Sequence, residues 1–176
     1  MGKGLSEELR TQPQFGVYKK ARIYVKNNNN LCLFYALELS RLYHDRHEIE
    51  EHKKNKQSIP QRLITRQTFD RIKESQKRQD EIAIKIVNEL GLDISQEKEY
   101  GIEEIIKVQQ YYDQKYPGMY RIVLMDQNPE VKPVWKAPLY SAKYEVPIYY
   151  EDNHYDALSS IAMYFGGPRT KYCVGM

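Results

Sequence analysis

The chain has 176 residues, a length that fits one ordinary domain with a single core. Charged residues make up 29% and hydrophobic residues 41%, and no apolar run approaches the length of a membrane helix. This composition excludes wholesale disorder and a membrane-spanning protein. Lys and Arg (27) exceed Asp and Glu (24) by only three, so no nucleic-acid partner is indicated.

Cysteine usage points to a reducing environment. Only Cys32 and Cys173 occur, and the start of the chain lacks the apolar core of a secretory signal. Two thiols fit a cytoplasmic or nuclear protein better than a disulfide framework. We therefore expect an intracellular protein in which a thiol is available for chemistry.

The first third of the chain predicts a strand followed by a buried helix. Residues 1–13 are polar, and we expect a loose lead-in before a single domain over residues 14–176. Apolar residues alternate over 15–25, which predicts a strand. Four asparagines at 27–30 then favour a turn. Residues 31–39 are apolar on nearly every side, so they predict a central buried helix with Cys32 in its first turn.

The remaining elements complete an α+β pattern. Residues 41–61 are dense in both charge signs, so we expect a solvated helix end and an exposed insertion closed by Pro60. The 3.6-residue spacing over 67–90 predicts one long helix, with Gly91 at its C-terminal cap. A further helix runs from Ile102 to about 115–118. Strand-like runs follow at 119–125, roughly 134–140, 146–150 and 154–164. Helices followed by a run of strands predict an α+β fold.

Cys32 has the surroundings that a nucleophilic cysteine needs. The thiolate is the reactive form of a cysteine, and the N–H groups and dipole of a helix N-terminus favour negative charge there. We therefore expect the pKa of Cys32 to be lowered. The same N–H groups, with the asparagine turn just upstream, are expected to hold the oxyanion of an acyl transfer.

His154 is the preferred partner for Cys32. His44, His47 and His52 lie in the charged segment, where solvated roles are expected and no metal-type ligand spacing is present. His154 instead opens an apolar strand, and Asp156 at i+2 projects from the same face. The sequence thus predicts a Cys32–His154–Asp156 triad in which the carboxylate orients the imidazole. No phosphate-binding glycine loop occurs, and no cofactor or metal is expected.

These motifs resemble those of the OTU (ovarian-tumour) cysteine proteases. The segment NNLCLFYAL at 29–37 is similar to the start of that family's catalytic helix. The segment at 148–156 is similar to the family's strand that is followed by a His-Tyr pair. The segment IAIKIVNELGL at 82–92 is similar to the helix that lies between these two motifs. The resemblance implies a papain-like fold, with the cysteine helix packed on a small, mostly antiparallel sheet. It implies hydrolysis after a ubiquitin C-terminus by Cys32 as nucleophile, His154 as base and Asp156 as orienting acid.

Two departures from the family pattern concern the turn before Cys32. Asn29 stands where the family usually has Asp, at a position that acts through the backbone near the oxyanion, so we expect Asn29 to take part in catalysis. Asn30 and Leu31 replace the usual Gly-Asn pair. The shape of this turn is therefore expected to differ from that of the family.

The substrate expected from the resemblance is ubiquitin or a ubiquitin-like protein, bound by a monomer. Glu151 and Asp152 would attract the basic tail of ubiquitin, with a solvated hairpin tip as the alternative. We expect Tyr155 to line a narrow channel that accepts glycine residues, with packing in the core as the alternative. The charged segment 44–66 would be a ubiquitin-contacting arm or, more simply, a solvated surface segment.

A second resemblance concerns the C-terminal part of the chain. The segment 153–158, together with Phe165-Gly166 and Tyr172-Cys173, is similar to the region that precedes type-B DNA polymerases of virus-like mobile elements. It implies that the chain is a domain excised from a longer protein. Two functions therefore stand beside deubiquitination: an OTU-fold processing protease of a viral or mobile-element polyprotein, and a non-catalytic interaction module.

Overall fold

A computed structural model describes residues 21–27, 29–95, 98–126, 133–138 and 142–161 of the chain. Within these ranges, helices and a mixed sheet confirm the predicted α+β class. The elements are β1 (Arg22–Ile23), α1 (Cys32–Lys54), α2 (Arg66–Lys73), α3 (Gln76–Glu89), α4 (Ile102–Lys115), β2 (Tyr120–Met125), β3 (Trp135–Lys136), β4 (Tyr144–Glu151) and β5 (His154–Leu158). The expected lead-in at 1–13 and the motifs at 165–166 and 172–173 lie outside the described residues.

The five strands form one sheet in the order β1-β5-β4-β2-β3. β2 and β4 run parallel, and the other neighbours are antiparallel. The sheet is therefore mostly antiparallel, as expected. The register places Arg22 opposite Leu158 and Glu151 opposite His154. β1 therefore pairs with the end of β5, and the start of β5 pairs with the end of β4.

The first half of α1 forms the centre of the core. Leu33, Phe34, Ala36 and Leu37 are completely buried, and the helix packs against β4 and β5 on one side and α3 on another. A helix enclosed in this way must be apolar around its whole circumference, and residues 31–39 have that composition. The predicted central helix is confirmed, and Cys32 is its first residue.

The second half of α1 corrects the expectation of a solvated segment after residue 40. The helix continues to Lys54, and Arg41, Asp45 and Glu48 are buried. Burial is tolerable because the charges are paired: Arg41 donates to Glu38 over 2.6 Å, and Tyr120 donates to Asp45 over 2.9 Å. The exposed part begins later, at residues 53–59.

His44 is likewise not the solvated histidine that its charged neighbours led us to expect. Its ring stacks on Tyr144 with centroids 5.2 Å apart. Burial, with the charges of His47 and Arg46 acting in the same direction, lowers the pKa of His44 to about 4. This histidine is a neutral packing residue at pH 7.

The single helix predicted over 67–90 is two helices. The chain breaks between α2 and α3 at Ser75, whose hydroxyl accepts from the Arg78 N–H over 3.4 Å as an N-cap. Gly91 has φ +65° after the end of α3, so its predicted capping role is confirmed. The predicted helix from Ile102 is confirmed. No helix in the described ranges combines the length and apolar character that crossing a bilayer requires.

The predicted strands are present, with shorter bounds for several of them. Of the predicted 15–25, the described residues form only the two-residue β1. The run at 119–125 corresponds to β2, and β4 extends the predicted 146–150 at both ends. Within the predicted 134–140, the described residues form only the two-residue β3. The last strand ends at Leu158, whereas the prediction ran to 164, most of which is outside the described residues.

The buried charges of α1 generate a stability prediction. Arg41→Ala removes the cation that pairs with buried Glu38 and lies 3.8 Å from buried Asp45, so we expect a loss of about 3–5 kcal/mol in the free energy of unfolding at pH 7. Lys54→Ala, at an exposed position of the same helix, should change it by less than about 0.5 kcal/mol. Urea denaturation measures both. An equal, small effect of the two substitutions would contradict a buried charge network.

Candidate functional site

The asparagine turn delivers Cys32 to the head of α1 in a fixed geometry. The Asn29 side chain accepts from the Leu31 N–H over 3.0 Å and donates to the Tyr35 hydroxyl over 3.2 Å. The Asn30 side chain donates to the Lys98 carbonyl over 2.7 Å. Asn29 and Asn30 therefore shape the turn and anchor it to α1 and to the segment before α4. In this arrangement Asn29 is a positioning residue for Cys32.

The N–H groups at the start of α1 are the donors that can serve an oxyanion. The Phe34 N–H bonds to the Leu31 carbonyl, and the Leu31 N–H is taken by Asn29. The N–H groups of Cys32 and Leu33 instead lie near the Cys32 sulfur, where they favour its negative form. The Leu31 N–H is therefore not the additional oxyanion donor that we expected from the asparagine turn.

A two-residue hairpin turn places His154 at the start of β5. Asp152 and Asn153 join β4 to β5 with φ values of +50° and +59°, the left-handed pair of a type I′ turn. Asp and Asn are the non-glycine residues that adopt this conformation most readily. The Tyr150 hydroxyl donates to the Asn153 side chain over 2.8 Å. This turn makes His154 the first residue of β5, with a partly exposed side chain.

Asp156 holds the His154 ring as the i, i+2 spacing predicts. The distance from His154 Nε2 to Asp156 Oδ1 is 3.1 Å. Asp156 is almost completely buried, and its Oδ1 also accepts from the Val25 N–H over 2.7 Å. A carboxylate accepts hydrogen bonds, so its contact with Nε2 favours the tautomer that carries the proton on Nε2. Nδ1 is then the ring nitrogen that can act as a base.

Cys32 and His154 line the same cavity, which has a volume of about 400 Å³. The sulfur lies close to the backbone N–H of Tyr155, the residue that follows His154. The start of β5 thus passes beside the first turn of α1. The residues lining the cavity are Val25, Asn27, Asn29, Asn30, Cys32, Leu33, Glu99, Tyr100, Tyr150, Asn153, His154 and Tyr155. The geometry assembles a thiol, an imidazole and a carboxylate from distant parts of the chain.

The expectation of a lowered thiol pKa is wrong. Burial raises the pKa of Cys32, and the nearby Asp156 charge acts in the same direction. The N–H groups of Tyr155 and Leu33 act against this rise without overcoming it. The dipole of the helix is present, but the desolvation of a mostly enclosed sulfur outweighs it. The resting thiol is therefore neutral at pH 7.

The predicted substrate-binding residues differ in where they lie. Tyr155 lines the cavity, with its hydroxyl donating to the Tyr100 carbonyl over 3.3 Å and its ring 4.9 Å from that of Tyr150. Glu151 instead accepts from Arg22 over 3.0 Å. Asp152 is exposed at the tip of the turn. Neither Glu151 nor Asp152 is among the described residues that line the cavity.

Sequence reasoning missed three residues around the site. Glu99 and Tyr100 line the cavity, and Arg22 binds Asp156 with its Nε 2.8 Å from Oδ2. Glu99 and Tyr100 lie in a segment without periodicity, which gave no signal. Arg22 gave no signal either, because it falls on the polar phase of the alternating pattern over 15–25, where an exposed charge is expected.

A metal centre finds no support in the described part of the chain, where no group of three or more His, Cys, Asp or Glu side chains is arranged to hold an ion. The rings of His44 and His47 pack instead against Tyr43.

Comparisons of the chain with models of protein families, with curated proteins and with solved structures each found no match. The site is therefore interpreted from its own geometry.

The raised thiol pKa predicts a neutral nucleophile at rest. In a Cys173→Ser background, less than about 3% of Cys32 should be thiolate at pH 7, because burial holds its pKa above the ordinary value. Thiolate absorbance near the ultraviolet edge, followed against pH and corrected with Cys32→Ser, measures this fraction. A titration step below pH 7 would show instead a preformed ion pair with His154.

The left-handed turn predicts a difference between two substitutions that both remove the Asn153 side chain. Asn153→Ala should be about 1 kcal/mol less stable to urea than Asn153→Gly, because a Cβ is strained at positive φ. Both variants lose the bond from Tyr150, so that loss cancels. Equal stabilities would mean that the hairpin does not hold this conformation in solution.

Proposed function

We propose that this chain is a cysteine hydrolase with a papain-like fold of the OTU type, which removes ubiquitin or a ubiquitin-like protein from its conjugates. One observation carries the proposal: Cys32 and His154 line one cavity while Asp156 binds Nε2 of the imidazole. A nucleophile, a base and an orienting acid in this order are the requirements of acyl transfer by a thiol.

The proposed reaction proceeds in two balanced halves. His154 Nδ1 takes the proton of Cys32 as the sulfur attacks the scissile carbonyl carbon, and the N–H groups at the head of α1 stabilise the oxyanion. The C–N bond breaks, the amine leaves with the proton from His154, and a thioester remains. Water then attacks the thioester, with His154 again as the base. The carboxyl product leaves and Cys32 regains its proton.

The raised thiol pKa is compatible with this chemistry. General-base catalysis requires only that Nδ1 be neutral and within reach when the sulfur attacks. Asp156 contributes to this, since it favours the tautomer with the proton on Nε2 and fixes the plane of the ring. The arrangement favours a nucleophile that forms during the reaction over a permanently charged thiolate.

A structural role for Cys32 accounts for fewer of the observations. Free buried cysteines usually pack as small apolar side chains. Here the thiol instead adjoins a polar cavity at a helix N-terminus, beside an imidazole whose partner is a carboxylate in the core. A buried carboxylate costs stability unless it is paired. A non-catalytic module has no use for this arrangement.

The cavity supports a substrate with a thin, extended tail. Its volume is near the lower end of the range for ligand pockets, and the rings of Tyr100, Tyr150 and Tyr155 line it. A Gly-Gly segment brings no side chains and fits such a space. Glu99 is the acidic residue lining the cavity, so in this proposal it takes the role that the sequence assigned to Glu151 and Asp152.

A ubiquitin probe with a C-terminal electrophile tests the proposal. We expect a covalent adduct, seen by intact-protein mass, that forms with the wild-type chain and with Cys173→Ser but not with Cys32→Ser. His154→Ala should slow the labelling by about 10²–10⁴-fold, because it removes the base. Urea denaturation confirms that each variant is folded.

The remaining outcomes separate the rival functions. Probes built on ubiquitin-like proteins report the preferred modifier. Labelling of Cys32 by a small peptide electrophile, with none by any ubiquitin-type probe, would overturn deconjugation and favour a processing protease. Absence of labelling by every electrophile, in a folded protein, would overturn the hydrolase assignment and favour an interaction module.

A further inference from the structure

Arg22 makes the strongest contacts of the buried carboxylate of Asp156. Its Nε lies 2.8 Å and its Nη2 2.7 Å from Asp156 Oδ2, so two nitrogens of the guanidinium converge on one carboxylate oxygen. The third nitrogen, Nη1, donates to Glu151 over 3.0 Å. One side chain of β1 therefore binds the acid of β5 and the last residue of β4.

Aromatic rings fix the guanidinium in place. Its central carbon lies 5.0 Å from the ring centroid of Tyr24 and 4.8 Å from that of Tyr149. Such contacts favour arginine over lysine, because the planar guanidinium stacks and donates at the same time. Arg22 is thus confined by two rings and two carboxylates.

The two oxygens of Asp156 have separate partners. Oδ2 receives Arg22, whereas Oδ1 receives the Val25 N–H over 2.7 Å and faces His154 Nε2 at 3.1 Å. Rotation of the carboxylate would break all of these contacts. The bidentate clamp on one oxygen therefore sets the direction in which the other oxygen meets the imidazole.

The charge of Arg22 has a second consequence for the triad. Asp156 is almost completely buried, and the ionisable groups around it are Arg22, Glu151, His154 and Cys32. Among these, Arg22 is the permanent cation. A carboxylate paired with a guanidinium serves as a hydrogen-bond acceptor, which favours the His154 tautomer with its proton on Nε2.

We propose that Arg22 is a positioning residue of the site: it clamps Asp156 so that this carboxylate holds His154 in the tautomer that leaves Nδ1 without a proton and able to act as a base. The inference rests on the proposed function for its role in catalysis. The tautomer itself is a property of the resting protein and can be measured without any substrate.

Nitrogen NMR of the His154 ring in uniformly labelled protein provides the test, at a pH where the ring is neutral. We expect the wild-type chain to hold the Nε2–H tautomer almost entirely. Arg22→Gln and Asp156→Asn should both admit a substantial Nδ1–H fraction. The double variant should be no more mixed than Asp156→Asn alone, since Arg22 acts through that carboxylate. Arg22→Lys keeps the charge without the bidentate geometry, so it should give an intermediate fraction, and it provides a second variant if Arg22→Gln does not fold.

Arg62 offers the matched control. It is another half-buried arginine on a buried carboxylate, bonded to Glu48 over 2.8 Å away from the cavity. Arg62→Gln should leave the tautomer unchanged even where it lowers stability. A wild-type tautomer in folded Arg22→Gln or Arg22→Lys would overturn the inference, as would an equal response to Arg62→Gln.

Kinetics then connect the clamp to the reaction. With a substrate that labels or turns over at Cys32, Arg22→Gln should lower kcat per titrated active site by about 10–100-fold with little change in KM. If Arg22→Gln lowers only the fraction of folded protein and leaves kcat per active site unchanged, the role of Arg22 is structural. That result would overturn its proposed role in catalysis. If no ubiquitin-type probe reacts but the tautomer responds, the proposed function fails and the clamp stands.

Discussion

The buried carboxylate of Asp156 is the constraint on which the site depends. It receives hydrogen bonds from the backbone of Val25, from Arg22 and from His154, so it joins the edge strand, the segment leading to the asparagine turn and the base. A carboxylate with almost no solvent has to satisfy its lone pairs within the protein. Each partner that meets this demand also fixes one component of the site relative to the others.

α1 divides into two halves that serve different purposes. Its N-terminal half is apolar around the whole circumference and packs against β4 and β5, which fixes the position of Cys32. Its C-terminal half carries a buried network of charges and tyrosine hydroxyls around Asp45 and Arg41. The same buried network anchors α1 to α4 and β2, through Tyr112 and Tyr120. A single long helix therefore supports the site from the far side of the core.

Sequence reasoning predicted the members of the candidate site when short-range rules applied. It failed when the interacting residues are far apart in the sequence. The i, i+2 rule related His154 to Asp156, and uniform apolarity identified the buried start of α1. The burial of Arg41 and Asp45 was missed because a run of charged residues does not reveal which distant side chains will pair with it. Here the tyrosine hydroxyls of Tyr112 and Tyr120 bond to the carboxylates of this helix from far along the chain. The break at Ser75 was missed because the apolar spacing continues across it. Local caps decide such boundaries, and their signals are weak.

The sign of the Cys32 pKa shift follows from the same enclosure that organises the site. A helix N-terminus lowers the pKa of a cysteine only where its effect exceeds the cost of desolvating the thiolate, and here the sulfur is largely enclosed. The cost is a thiol that is inert at rest. The compensation is selectivity, because a protonated thiol reacts poorly with small oxidants and electrophiles. In the proposed reaction, the thiol is activated only when a carbonyl fills the cavity, so that proton transfer to His154 is coupled to bond formation.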